Sequence, residues 1–337
     1  MTGLARRDWR TLDETDVRVR PGKGTRPRSK RRPAHADAST ALVTGVDRGR
    51  WTCAVERDPA RVVTAMRARE LGRTPIVVGD TVGLVGDVSG KADTLARIVR
   101  VDERASVLRR TADDTDPYER VVVANAEQLL IVTALADPPP RTGFIDRCLV
   151  ACYAGGLEPV LCLTKADLAG PEDLLAQYAD LDVPAIVTRH DEDSPELIER
   201  LRDRVSALVG HSGVGKSTLV NRLVPDAHLA TGVVSAVGKG RHTSVSAVAL
   251  PLPQGGWVVD TPGIRSFGLA HVTADDIVLS FPEFAAAAEE CPSGCGHLGP
   301  PEDPGCALEE VVASGTARAG RLESLRRLLS SRAGIES

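Results

Sequence analysis

The rhythm of apolar and polar positions changes three times along the chain. Residues 1–38 are polar, Pro/Gly-rich and basic, with no apolar period. Such a stretch buries too little apolar surface to offset the entropy of ordering, so a disordered arm is expected. From 40 to 112 the pattern becomes short β-rich runs broken by turn residues, at 41–46, 51–55, 61–66, 76–86 and 94–108. Five short strands so close together predict a small closed barrel, of which the OB-fold is the commonest kind. From 118 to 272 apolar runs at 128–135, 159–163, 184–187, 205–209, 246–250 and 257–259 alternate with helical stretches. This alternation predicts a parallel or mixed sheet covered on both faces. The final segment, 273–337, carries a cysteine cluster and one or two helices. Leu322, Leu325, Leu328 and Leu329 make a narrow stripe on the last helix, ringed by arginines, and are expected to pack on the Cys-rich segment.

Composition adds little to the fold and something to the partners. Apolar residues make up 42% and charged residues 26%, as in ordinary globular proteins, but aromatics are only 3%, so Val, Leu, Ala and Ile must fill the cores. A net charge of −4 gives no global attraction to nucleic acid. The charge is uneven, however: residues 17–35 hold eight Lys/Arg and no Asp/Glu. That run is either a solvated tail or an arm that finds phosphate backbones. Arg97, Arg100, Arg104, Arg109 and Arg110, near the last predicted barrel strand, are compatible with RNA contact. The sequence has no signal-peptide-like start and no run of about 18 apolar residues, so a cytoplasmic, non-membrane protein is expected. In that compartment its seven cysteines should be thiols or metal ligands rather than disulfides.

Three motifs carry chemistry. Gly210-His211-Ser212-Gly213-Val214-Gly215-Lys216-Ser217-Thr218 fits G-x-x-x-x-G-K-[ST] between a strand-like and a helix-like run. Its glycines allow Gly210, Ser212, Gly213, Val214 and Gly215 to turn amides toward phosphate, at a helix N-terminus of partial positive charge. Lys216 can reach the outer phosphates, Ser217 can ligate Mg²⁺, and Thr218 extends the cradle. Asp260-Thr261-Pro262-Gly263 follows at the end of an apolar strand. Asp260 suits the second metal-side carboxylate, and the Gly263 amide can sense the terminal phosphate. Between them, residues 231–244 are Gly-rich and read as a mobile loop in which Thr243 is the candidate Mg²⁺ hydroxyl.

Thr164-Lys165-Ala166-Asp167 ends another apolar strand. A carboxylate such as Asp167 can accept the paired donors of guanine, which adenine lacks, and the Lys165 stem can lie on the base. In an ordinary GTPase this element follows the phosphate loop, whereas here it precedes it. The order therefore implies a circularly permuted P-loop α/β domain, rejoined through the helix-like 194–205. Finally, Cys291, Cys295, His297 and Cys306 fall within sixteen residues and suit one closed, structural Zn²⁺ site. Cys148 and Cys152 lie on one face of a predicted helix and are expected to be core.

With these residues in view the chain resembles the circularly permuted, small-ribosomal-subunit-dependent GTPases of the RsgA (YjeQ) family, over about 40–330. The resemblance rests on Val78-Gly79-Asp80, Asp146-Arg147-Cys148-Leu149, Thr164 to Asp167, Gly210 to Thr218, Gly240-Arg241-His242-Thr243, Asp260 to Gly263 and the cysteine–histidine cluster. It implies three parts: an N-terminal OB-fold barrel, a central permuted GTPase domain and a C-terminal zinc-binding helical domain. It further implies GTP hydrolysis coupled to late maturation of the small (30S) subunit and stimulated by that subunit, with rRNA, GTP and GDP as partners and a monomeric chain. Small GTPases place a water-orienting Gln where this chain has Ile264, and the resemblance points to His242 as its replacement. Thr164 stands where the family often has Asn. The cluster has a shorter first loop and a longer second one than the family pattern, and residues 186–190 lack the expected Ser-Ala base loop. Two other readings compete: a P-loop ATPase or kinase, or an RNA-binding regulator, each with a zinc accessory domain.

Overall fold

The computed structural model describes residues 35, 37–91, 94–111, 118–190, 192, 194–227, 247–261, 269 and 271–332. His242, Thr243, Gly263 and nearly all of the expected arm lie outside these residues.

The first five strands, β1 (Ser39–Asp47), β2 (Arg50–Val55), β3 (Val62–Arg67), β4 (Thr81–Gly86) and β5 (Ala96–Val101), form the expected barrel. Their neighbours run β1-β2-β3-β5-β4, and a β1–β4 ladder closes the ring. Small and branched residues fill it: Ala41, Val43, Cys53, Val63, Ala65, Val82, Leu84 and Ile98 alternate inward. Two expected runs are shorter than their apolar length. Residues 76–80 form a loop before β4, because Gly79 takes φ +91. The run 94–108 breaks after β5, and β6 (Val107–Arg110) pairs instead with β7 (Arg120–Ala124) in a separate ribbon. Arg109 and Arg110 therefore belong to the ribbon rather than to the barrel.

The central sheet has the order β10-β9-β8-β11-β13-β12, from β8 (Gln128–Ala134), β9 (Glu158–Thr164), β10 (Ala185–Val187), β11 (Val205–Val209), β12 (Val248–Pro251) and β13 (Trp257–Asp260). All pairings are parallel except that of β12 with β13. β8 and β11 are buried along their whole length, as strands covered on both faces must be. Helices α1 (Thr142–Gly155), α2 (Glu172–Tyr178), α3 (Pro195–Leu201) and α4 (Lys216–Leu223) join them. The barrel meets this sheet where β1 pairs with β12, Gly45 opposite Val248. Val78-Gly79-Asp80 makes a second weld: Ala124 N donates to Val78 O at 3.0 Å, and Asn125 Nδ2 to Gly79 O at 3.0 Å. Asp80 is fully buried and paired with Arg104 at 2.7 Å.

Four helices follow: α5 (Ala274–Val278), α6 (Pro282–Ala288), α7 (Leu308–Ala313) and α8 (Ala319–Arg332). Helix α8 lies against α1, α5 and the turn at Ala179–Leu181, and its leucine stripe shares one core with Ile145 and Leu149 of α1, so it docks the C-terminal segment onto the central domain rather than only covering the cysteines. The Asp146-Arg147 pair on α1 receives it. Asp146 pairs with Arg327 at 3.2 Å, and Arg147 donates to the Ser331 carbonyl at 2.8 Å. Cys148 and Cys152 are fully buried behind them. Among the described residues no helix is long and apolar enough to cross a membrane.

Candidate functional site

The carboxyl ends of β11, β9 and β13 bring the motifs to one edge of the sheet, where open α/β sheets bind ligands. β11 delivers Gly210, whose close approach to the Val132 carbonyl leaves no room for a side chain. Gly213 and Gly215 take φ +87 and +90, which other residues adopt only with strain, and Gly215 is the N-cap of α4. Ser212 and Gly213 are exposed at the mouth, Val214 is buried, and Lys216, Ser217 and Thr218 are half-buried on the first turn of α4. Lys216 Nζ donates to Asp260 Oδ1. The two groups expected at phosphate and at Mg²⁺ thus neutralise one another in this structure. Thr261 beside them is buried, its hydroxyl held on the Leu208 carbonyl at 2.5 Å.

β9 delivers Thr164 to the same place. Its hydroxyl donates to the Val214 carbonyl at 2.6 Å, which ties the guanine-loop candidate directly to the phosphate loop. A threonine makes this tie at the position where the family often has Asn. Lys165 adopts φ +58 and its ammonium donates to the Asp137 carbonyl, in the loop after β8. Asp167 is exposed at the rim. Two contributors carry no sequence signal, because they act through backbone. The Thr188 carbonyl accepts the Ala166 amide at 3.3 Å, and the Thr188 amide donates to the Leu163 carbonyl at 2.7 Å. Asp137 contributes only its carbonyl. His211 carries a signal, as the one large side chain among the phosphate-loop residues between Gly210 and Lys216. Its ring meets Phe144 edge-on at 5.8 Å, and its Nδ1 lies 3.2 Å from the Ser212 carbonyl. Burial, together with nearby Arg141, holds its pKa below the usual histidine range.

The second cluster lies in the C-terminal segment. The ligand atoms of Cys291, Cys295, His297 and Cys306 all lie within 4.8 Å of one another. A tetrahedral Zn²⁺ with thiolate ligands sets neighbouring sulfurs about 3.8 Å apart, so the set fits that ion. The supporting shell agrees. His297 N donates to Cys295 Sγ at 3.4 Å, and Ala307 N to Cys291 Sγ at 3.3 Å. His297 turns Nδ1 toward Cys291 Sγ, while its Nε2 lies 3.8 Å from Asp275. Asp303 braces the longer second loop by accepting the Gly296 and Leu298 amides at 3.1 and 2.9 Å. Those two amides hold its carboxyl below the usual range.

Comparison with known proteins agrees with this geometry. A sequence model of the RsgA GTPase family matches residues 101–270. The small ribosomal subunit biogenesis GTPase RsgA of Gemmatimonas aurantiaca is 39% identical over 302 residues, 86% of this chain and 96% of that protein. The crystal structure of YjeQ from Thermotoga maritima superposes with a TM-score of 0.64 at 26% identity, covering 88% of this chain and 99% of that one. YloQ, described as a circularly permuted GTPase, shares the fold at a TM-score of 0.61 and 20% identity, over 91% of this chain and 99% of its own. A phosphate loop tied to a preceding guanine-loop candidate, a five-stranded barrel before it and a Cys₃His cluster after it agree with these matches, and the chain belongs to the RsgA GTPase family of GTP-hydrolysing enzymes.

Proposed function

We propose that this GTPase acts in late maturation of the small ribosomal subunit, with turnover stimulated by that subunit. The observation that carries the nucleotide half is the Thr164 hydroxyl on the Val214 carbonyl, which joins a guanine-type loop to a phosphate loop at one sheet edge. The ribosomal half rests on the name of the Gemmatimonas aurantiaca relative, similar over most of both chains. This reading puts the chain in the cytoplasm as a monomer, with rRNA, GTP and GDP as its partners. It divides the chain into an arm (1–38), a barrel (40–112), a GTPase domain (118–272) and a zinc domain (273–337).

Each site residue then has a task. The amides of Gly210, Ser212, Gly213, Val214 and Gly215 and the ammonium of Lys216 would hold the phosphates, with Thr218 behind them. Asp167 would accept the guanine donors, Lys165 would flank the base, and Thr164 would hold both in register. Ser217, Asp260 and Thr243 would hold Mg²⁺, which when bound offsets charge developing on the phosphates. Nucleotide binding must first part Lys216 from Asp260. The Gly263 amide would meet the terminal phosphate, and His242 would orient water in place of the missing Gln. Cys291, Cys295, His297 and Cys306 would hold one structural Zn²⁺.

The test is phosphate release from GTP and from ATP, with and without purified small subunits. Stimulation of GTP turnover alone is expected. Equal use of ATP, or turnover indifferent to subunits, overturns the proposal in favour of a P-loop ATPase. Metal analysis of the purified chain should find one zinc per molecule, lost in Cys295→Ser.

A further inference from the structure

Helix α4 begins at the phosphate loop and ends on a different task. Near its far end, Arg222 donates through Nη1 to the carbonyls of Arg189, at 2.9 Å, and His190, at 3.2 Å. Through Nη2 it donates to the carbonyl of Glu192. One guanidinium thus gathers three carbonyls of the stretch that follows β10. This stretch starts at Thr188, the residue whose carbonyl accepts the Ala166 amide and whose amide is fixed to Leu163. Ala166 is the third residue of Thr164-Lys165-Ala166-Asp167, so the clamp reaches the neighbour of Asp167 in two backbone steps. On the other side, Thr164 is fixed to Val214, just before α4.

We propose that Arg222 is a positioning residue for guanine selectivity. It holds the carbonyls of Arg189, His190 and Glu192, next in the chain to Thr188, which backs the guanine loop at Ala166. It touches neither base nor phosphate. The helix secures the guanine loop at both of its own ends: Val214 precedes its first turn and Arg222 lies in its last. Eight residues of helix span about 12 Å, so α4 acts as a rigid spacer between the phosphate end and the base end of the site. The chemistry suits arginine. Its planar fork of five donors can serve several carbonyls in fixed directions, whereas an ammonium is a point charge on a flexible stem. Selectivity is the property at stake, because Asp167 discriminates only if its carboxylate stands where guanine presents two donors; small misplacements of such groups are costly.

This inference rests on the guanine reading above, and the experiment separates the two. GDP and ADP affinities are measured by competition against a fluorescent nucleotide, for the full chain and for Arg222→Ala and Arg222→Lys, with inorganic triphosphate as a phosphate-only probe. The full chain should prefer GDP. Arg222→Ala should lose about tenfold of the GDP-to-ADP preference through GDP alone, with ADP and triphosphate binding unchanged, and Arg222→Lys should fall between. Should Arg222→Ala fail to fold, Arg222→Lys still decides, because a partial loss of preference is required of it. An unchanged preference, or a parallel loss of GDP, ADP and triphosphate binding, overturns the positioning role. A full chain with no preference for GDP overturns the guanine reading and the inference with it.

Discussion

The barrel and the C-terminal segment are both fastened to the central domain, but by different physics. The barrel is joined largely by main chain, Ala124 N to Val78 O and the β1–β12 pairing, with the Asn125 side-chain amide donating to Gly79 O. The C-terminal segment is joined by the buried leucine stripe of α8 and, around it, by arginine side chains. Arg327 reaches Asp146 and lies over the Tyr178 ring at 4.9 Å. Arg321 donates to the Asp180 carbonyl at 2.9 Å. Arg318 meets Asp180 at 3.3 Å, and Arg332 donates to the Val272 carbonyl at 2.7 Å. Backbone contact of the first kind tolerates no change in spacing. Guanidinium contacts of the second kind are individually modest, screened by salt where exposed, and re-formed as easily as they break. The barrel junction is therefore the one less tolerant of a change in spacing.

The largest effect should come from testing the rigid junction. A Cβ on Gly79 would lie 1.8 Å from the Ala124 carbonyl oxygen, and the residue holds φ +91. Gly79→Val adds backbone strain to a backbone clash, so it should destabilise by about 3 kcal/mol or more. Denaturant unfolding followed at Trp51 and Trp257, one in the barrel and one in the central sheet, checks this. A midpoint unchanged at both tryptophans would show that the weld is dispensable.

A smaller, asymmetric effect is expected at the C-terminal junction. Asp146 is buried; burial pushes its carboxyl above the usual range, and Arg327 restores it only in part. A carboxyl raised in the fold contributes stability that is present below its unfolded pKa and lost as pH rises through the folded value. At neutral pH its charge is thus a net burden that Arg327 offsets. Arg327→Met should cost about 2 kcal/mol by stranding that charge, discounted because the arginine is partly exposed. Asp146→Asn should cost less than about 1 kcal/mol, and the double substitution should recover most of the loss. Equal costs for the two single changes would mean that packing, not charge, holds α8.

The same contrast explains what could be read from the sequence. The phosphate loop and the guanine-loop candidate were legible because main-chain geometry restricts the residues: glycine at φ +87 and +90, lysine and serine at a helix start. The Cys₃His cluster was legible because its four residues are close in sequence. The partner of α8 was not. Leu322, Leu325, Leu328 and Leu329 announce only that a face is buried, and the docking pair Asp146 and Arg327 lies 181 positions apart. Thr188 and Asp137 act through carbonyls, which every residue has. The split of 94–108 has a local sign, since Asp102-Glu103-Arg104 interrupts the apolar run before Ser106. Nothing local, however, told that the second half would pair with β7.

The smallest effect tests whether the side-chain junction and the phosphate loop share α1. The helix receives Arg327 at Asp146, and two residues earlier Phe144 packs on His211 of the phosphate loop. His211 is buried, Nδ1 faces the Ser212 carbonyl, and Nε2 has no partner among the described residues. Protonation would place a charge there without an acceptor and near Arg141. The depressed histidine binds its proton more weakly folded than unfolded, so stability should rise with pH in this window. The contribution is present above the ordinary histidine pKa of 6.5 and is lost as pH falls from there through the folded value. Thermal unfolding from pH 7.5 down to 5 should therefore show a loss that His211→Gln reduces, worth less than about 1 kcal/mol because the ring is not fully enclosed. Combined with Arg327→Met, the His211 effect should change in size if α1 transmits between its two contacts. Strict additivity would instead make the two ends of the helix independent, and leave the C-terminal junction without a route to the nucleotide through α1.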